Sequence, residues 1–419
     1  YDLYGRRDQL DQVDGYGPFP GPGEVENVGP DLRRKFYPIL KRWLDLPVPA
    51  VEYRNILPEE KLMCLTPQVA AERRPKTANE LAAALAGPRL DAARGKRAAL
   101  NRADRLRALR AALKEKLGNI EPGTPAGARV LSTRQFSGFT AEAVVLDSAP
   151  DMKVPLLLIK PAGSAPAPYP VMLGVGQGGK TGFLTHRSAA VAAILKQGIA
   201  VCLADVRGTG ETTRGGRGGS SVSLAATELM LGETTLGGRL KDARTVVRYL
   251  ATRTDLDAGR LVMWGDSTSG VNPGGMMLDQ SVFQQTGPQT IRQADAAGPV
   301  LALLTALYED GAKAVAARGG LVSFRSALSD RFCYLPLDIV VPGILDTADM
   351  ADVASALAPR SVLLARMVDG RNHAVAATEA NREYRMALDR YQGTAGQLVI
   401  RDDAGNAELA RWIKEQAQR

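Results

Sequence analysis

From about residue 150 onward the chain alternates short apolar runs with stretches of helical periodicity. The runs at 154–159, 171–175, 199–204, 261–264, 314–317, 362–367 and 398–400 predict strands. Segments 188–196, 225–253, 349–357, 376–391 and 407–418 space their apolar residues as helices do. Strands and helices in alternation predict a mostly parallel sheet with helices on both faces. Ahead of it, 129–147 alternates apolar and polar positions and predicts an antiparallel strand or hairpin.

The first third reads differently. Residues 1–29 are rich in Gly, Pro and Asp without periodicity, and the chain starts on Tyr1 instead of Met, which reads as a processed form or a fragment. Residues 31–44 alternate apolar and basic positions at helical spacing, as the closing helix of a preceding module would. Residues 77–117 form a second helical block with Leu81, Leu85, Leu90, Leu100, Leu106 and Leu109 as core candidates. Gly87, Pro88 and Gly95 argue for two packed helices instead of a coiled coil. Pro122, Gly123, Pro125 and Gly127 mark a boundary. The expected division is 1–120, an irregular segment with a helical attachment, and 121–419, the α/β domain; the attachment should pack on that domain.

Candidate chemistry gathers at strand ends, where open α/β sheets place their sites. Ser267, in Trp264-Gly-Asp-Ser-Thr-Ser-Gly270, follows an apolar strand directly, and Gly265 and Ser269 supply the small neighbours that a serine in a sharp, strained turn needs. The plain alternative is an ordinary turn capped by Ser267. The glycine turn Gly174-Val-Gly-Gln-Gly-Gly-Lys180 brings backbone N–H groups close to a bound group, so the N–H of Gln177, or of Gly178 beside it, and that of Thr268 are candidate oxyanion donors. The same turn mimics a phosphate-binding loop, with Lys180-Thr181 following Gly174 to Gly179 and Asp205 as a magnesium ligand. Against that reading, the segment through Thr185 looks like loop where such a site needs a helix starting at Lys180. Asp369 ends the strand before the last and is placed to orient a base; Asp369-Gly370 is also an ordinary turn dipeptide.

Asp205-Val-Arg-Gly-Thr-Gly-Glu211, Gly265-Asp-Ser-Thr-Ser269, Pro342-Gly343 with Ala358-Pro-Arg360, Asp369, Leu231-Gly232 and the run from Arg239 to Arg248 together resemble α/β-hydrolases of the acetylxylan-esterase-like and prolyl-oligopeptidase-like kind. The resemblance covers about 125–419. It implies an α/β-hydrolase fold and a serine nucleophile at Ser267, with Asp369 as the acid, often in plant polysaccharide breakdown. If the helix at 31–44 closes an upstream hydrolase module, the intact protein is a tandem. One departure stands out: the family's histidine after the last strand is replaced by Asn406, and an amide cannot accept the serine proton. Only His186 and His373 remain. His373 is a substitute base or a loop residue, and His186 a residue near the site mouth or a helix cap. Asp205 and Arg207 read as structural, the carboxylate tying down the turns at Gly208 and Gly210.

Composition narrows the classes. Across 419 residues, 53 basic against 45 acidic side chains give a formal charge of +8, densest around Arg94 to Lys116; with 5% aromatics and no stacking motif this reads as solvated surface, so no nucleic-acid partner is expected. No apolar run reaches membrane-spanning length. Cys64, Cys202 and Cys333 are too few and scattered for a disulfide framework, and two histidines make a histidine zinc site improbable, so neither metal nor cofactor is expected. No signal peptide is visible; the compartment stays open, a secreted or periplasmic one being compatible. The expected activity is carboxylic-ester hydrolysis on acetylated or methylated carbohydrate, with Tyr308, Phe324, Phe332 and Tyr334 as pocket or core aromatics. Two alternatives stay open: a serine peptidase of the same fold, and a catalytically impaired pseudo-hydrolase that binds or scaffolds.

Overall fold

The computed structural model describes all residues except 14–29, 53–56, 124–126, 163–166, 214–220, 277 and 279–289. It divides into two compact units, Tyr1–Pro75 and Lys76–Arg419. The first holds helices α1 (Pro30–Leu44), α2 (Glu59–Leu62) and α3 (Pro67–Arg73). Arg33 Nε and Tyr37 OH both donate to Glu52, at 2.7 and 3.0 Å, and tie α1 to the segment after it.

The second unit begins with α4 (Ala78–Ala98) and α5 (Arg102–Leu117), which share the unit of the sheet. The compact units therefore part at Pro75, ahead of the glycine and proline cluster at 122–127. Thr77 caps α4 reciprocally with Glu80, and Asn101 caps α5 by accepting from Asp104 N–H at 3.0 Å. Gly87, Pro88 and Gly95 lie within α4; the break between the two helices falls at 99–101. Leu90, Leu109, Leu113 and Leu117 enter the main core, whereas Leu81 and Leu85 are exposed.

A nine-stranded sheet follows: β1 (Arg129–Phe136), β2 (Phe139–Ala149), β3 (Met152–Pro161), β4 (Tyr169–Gly176), β5 (Ala200–Ala204), β6 (Leu256–Asp266), β7 (Ala312–Arg318), β8 (Ser361–Ala365) and β9 (Leu398–Arg401). Their spatial order is β1-β2-β3-β5-β4-β6-β7-β8-β9, antiparallel through the β3·β5 pair and parallel from β5 to β9. β1 is exposed along all eight residues and its pairing with β2 shifts register between Val130 and Ser132.

The remaining helices are α6 (Gly179–His186), α7 (Ser188–Lys196), α8 (Ser221–Met230), α9 (Thr235–Thr252), α10 (Ala297–Tyr308), α11 (Met350–Leu357), α12 (Ala377–Glu383), α13 (Arg385–Tyr391) and α14 (Asn406–Ala417). The single helix expected over 225–253 is two, because Gly232 takes φ +79° and Thr234 then caps α9 by accepting from Gly237 N–H. Leucine and valine side chains of α9, α10 and α11 fill one face of the sheet together with α4 and α5. Phe183, α7 and α14 cover the other face around Trp264. Among the described residues no helix is long and apolar enough to cross a membrane.

Candidate functional site

Ser267 lies at the carboxyl end of β6, where the strand order turns back on itself between β5, β4 and β6. Its local geometry differs from the expected elbow. Ser267 N–H donates to Arg318 C=O at 3.0 Å, so the serine extends the β6·β7 pairing, and its φ is not positive. The left-handed residues near it are Arg366 (φ 51°) and Asn372 (φ 59°), past the end of β8. No helix follows Ser267 directly, and α10 covers β6 only after residues 268–296. Gly265 owes its smallness to that cover: a Cβ there would lie 2.4 Å from Gly298 C=O. Gly319 (φ +80°) leaves room for the serine, since its Cβ would fall 2.5 Å from Ser267 Cβ.

The hydroxyl is nearly sealed, Ser267 being 3% exposed. The space bounded by Gly176, Gln177, Gly178, Phe183, Thr268 and Asp295 is about 10 Å³, close to the least that holds one water. The Asp295 carboxyl lies against the turn that carries Ser267 and Thr268. Its Oδ2 accepts from Thr268 N–H at 3.0 Å, so one of the two candidate oxyanion donors is already taken, and its Oδ1 is buried with no hydrogen-bond partner among the described residues. Burial pushes the Asp295 carboxyl up to about 6; the Thr268 amide and the nearby Ser267 hydroxyl oppose that, and the charges of Asp266 and Asp338 add to it. The other candidate donor belongs to a buttressed loop. Gln177 Nε2 donates to Asp338 and its Oε1 accepts from Arg239 Nη1, both at 3.0 Å, while buried Arg239 pairs with Asp338 at 2.8 Å.

Three guanidiniums surround the serine. Arg187 and Arg366 both donate to Ser267 C=O, at 3.0 and 2.7 Å. Arg187 and Arg318 also grip buried Asp266, at 2.6 and 2.8 Å. Arg318 continues to Ala404 C=O at 2.8 Å and to Asn406 Oδ1 at 3.3 Å. Asn406, at the position where the resemblance expects the histidine, thus faces a cation at the end of β7.

Asp369 and His373 come together past the end of β8. His373 Nδ1 lies 3.5 Å from Asp369 Oδ2, and Asp369 Oδ1 accepts from the backbone N–H of Arg371 and His373, both at 2.8 Å. His373 Nε2 is buried and has no hydrogen-bond partner among the described residues. Asp369 lines a separate open groove of about 640 Å³ with Ser326 and Arg382. His186 ends α6 and is exposed. Among the described residues no hydrogen bond joins Ser267 to His373, His186 or Asn406.

The glycine turn also departs from expectation, because α6 starts at Gly179 where loop was expected through Thr185. The absence of a helix therefore does not count against the phosphate-loop reading. The wiring of Lys180 does: its backbone N–H donates to Asp205 Oδ1 at 2.7 Å, and its ammonium pairs with the same carboxylate and with Glu211. Asp205 also accepts from Glu211 N–H, holding the turn that contains Gly208 and Gly210, while Arg207 pairs with Asp242 at 2.9 Å. The candidate pocket aromatics are packing residues. Phe324 and Tyr334 are buried, Phe332 packs on Tyr334, and Tyr308 OH donates to Arg110 C=O at 2.6 Å.

Sequence reasoning missed Asp295 and the arginine network. The signal for Asp295 is a lone carboxylate in Ala294-Asp-Ala-Ala297, just ahead of an apolar helix. For the network it is an arginine at the end of one apolar strand, Arg318, and just past the end of the next, Arg366.

No protein-family model matches the chain, and no curated protein does. Solved structures do. The chain is similar to a candidate acetyl xylan esterase from Bacteroides fragilis at 15% identity and a TM-score of 0.53, over 71% of this chain and 75% of that one. It is also similar to a glucuronoyl esterase from Solibacter usitatus at 15% identity and a TM-score of 0.48, over 75% and 91%. With the sheet order and the serine at the end of β6, the first likeness gives the class: the chain has the α/β-hydrolase fold.

Proposed function

We propose that the chain is a carbohydrate-esterase-type module whose serine centre is catalytically impaired, with a binding or scaffolding role in place of turnover. One observation carries this reading: the Asp295 carboxylate occupies the Thr268 amide, where a tetrahedral oxyanion would have to sit. A carboxylate there repels developing negative charge and fills the space that an acyl group needs. No imidazole is hydrogen-bonded to Ser267 to take its proton, which fits the same reading.

A second reading keeps ester hydrolysis of acylated carbohydrate, with Ser267 as nucleophile, His373 as base, Asp369 as its orienting acid and the Gln177 and Thr268 amides as oxyanion donors. It is favoured by the adjacent Asp369 and His373 side chains and the unbonded His373 Nε2. It requires Asp295 to leave the amide and His373 to swing to the serine.

Turnover of p-nitrophenyl acetate and labelling by a fluorophosphonate separate the two. The impaired reading expects wild-type protein to match Ser267→Ala in rate and to take no label. Labelling at Ser267, with a loss on the order of a millionfold in Ser267→Ala, establishes the hydrolase instead, and loss of that activity in His373→Ala assigns the base.

A further inference from the structure

The dense basic stretch around residues 94–116 does not all face solvent as a diffuse positive surface. Where α4 and α5 meet the α11 and α13 side of the sheet domain, Arg94, Arg97, Arg102, Arg105 and Arg390 converge with Asp352 on one cavity of about 410 Å³. That volume lies within the range of small-molecule sites. Five guanidiniums face one carboxylate, and the carboxylate is already engaged. Asp352 Oδ2 accepts from Arg94 at 2.8 and 3.0 Å and Oδ1 from Arg97 Nη2 at 2.9 Å, while Oδ2 also accepts from Asp349 N–H.

The other three arginines have no carboxylate on this cavity. Arg102 donates to Ala358 C=O, and Arg105 donates to Arg97 C=O at 3.2 Å and Leu100 C=O at 2.7 Å. Arg390, on α13, has no hydrogen bond or ion pair among the described residues; burial, and after it the Arg390 charge, lowers the Arg105 pKa. Guanidiniums stay charged, so holding three of them together without a counter-charge is unfavourable unless an anion joins them. Neutral carbonyls set the direction of Arg102 and Arg105 without cancelling their charge. Leu109 and Pro359 give the cavity an apolar wall.

We infer that this cavity binds a small organic molecule carrying two or more phosphate groups, held by Arg102, Arg105 and Arg390. Planar guanidinium forks match phosphate oxygens two at a time, and a ligand of several negative charges answers the excess of arginines as a single carboxylate does not. The site is independent of Ser267 and does not rest on the reading of the serine centre.

The test is calorimetric titration of the full chain with pyrophosphate and with adenosine triphosphate at low salt. One saturable site is expected, weakened at least about tenfold by Arg390→Glu and weakened again by added salt. Arg390 is exposed and unbonded, so the variant should melt with the wild type. Arg73→Glu, an exposed charge reversal in the first unit, should leave the affinity unchanged. Three results overturn the inference: no saturable binding up to about 10 mM, equal weakening by Arg73→Glu and Arg390→Glu, or citrate binding as tightly as pyrophosphate.

Discussion

Two ends of the same sheet domain handle arginine in opposite ways. At the carboxyl end of β6, Arg187, Arg318 and Arg366 turn inward, onto Asp266 and the Ser267 carbonyl, and the space left between the glycine turn, Thr268 and Asp295 is about 10 Å³. Under α4 and α5, five arginines surround about 410 Å³ with one shared carboxylate between them. In the first place a buried carboxylate answers the positive charge; in the second one carboxylate faces five guanidiniums. What such a cluster does depends on the count of acceptors facing it, not on the number of arginines.

The largest effect expected to sharpen this contrast is at Asp266. Removing it in Asp266→Ala leaves Arg187 and Arg318 without a carboxylate in a buried setting, with an expected loss on the order of 3–5 kcal/mol by urea unfolding. A change under about 1 kcal/mol would mean that the two arginines reach water and that the closed end is not held by this network.

A smaller effect is expected from Asp295, with a definite sign. The folded chain keeps this proton up to about pH 6 where an ordinary aspartate releases it near 3.8. Between those values the folded state binds more protons than the unfolded one, so this group lowers stability as pH rises through the window. Asp295→Asn keeps an acceptor for Thr268 N–H and removes that fall, leaving the variant more stable above pH 6 by about 1–3 kcal/mol. Parallel wild-type and variant stability curves from pH 4 to 7 would rule out a buried, protonating carboxyl at this place.

The smallest effect belongs to the open cluster. Arg390→Gln removes a charge that repels Arg105 and has no partner among the described residues, so its melting curve should stay within about 0.5 kcal/mol of wild type. A larger loss would show that Arg390 is a structural arginine like Arg318 and would erase the contrast between the two clusters.

The strands from 154 to 400 and most of the helices were legible because period and apolar runs report burial directly, as in β4, β5 and α7. Helix α6 was not, because Gly-Lys-Thr-Gly reads as loop until the packing of Phe183 against Trp264 is known. Ser267 could be placed at a strand end from its flanks. Its backbone state could not, since the pairing of its amide with Arg318 is a property of a strand some fifty residues later. Asp295 was hidden for a similar reason: its chemistry comes from what buries it, and no spacing encodes that. The role of the arginines in 94–116 turned on Asp352, Ala358 and Arg390, far along the chain.

The first strand of the sheet carries a different consequence, for solubility. β1 is the terminal strand and its eight residues are all exposed, so one row of its backbone N–H and C=O groups offers itself to another extended chain. Arg129 and Arg134 set like charges against any second copy laid along it, and the register shift near residue 131 bends the edge away from the straight ladder that stacking strands need. The same strand exposes Val130, Leu131 and Phe136, so removing the two charges should show first as loss of solubility, before any loss of fold.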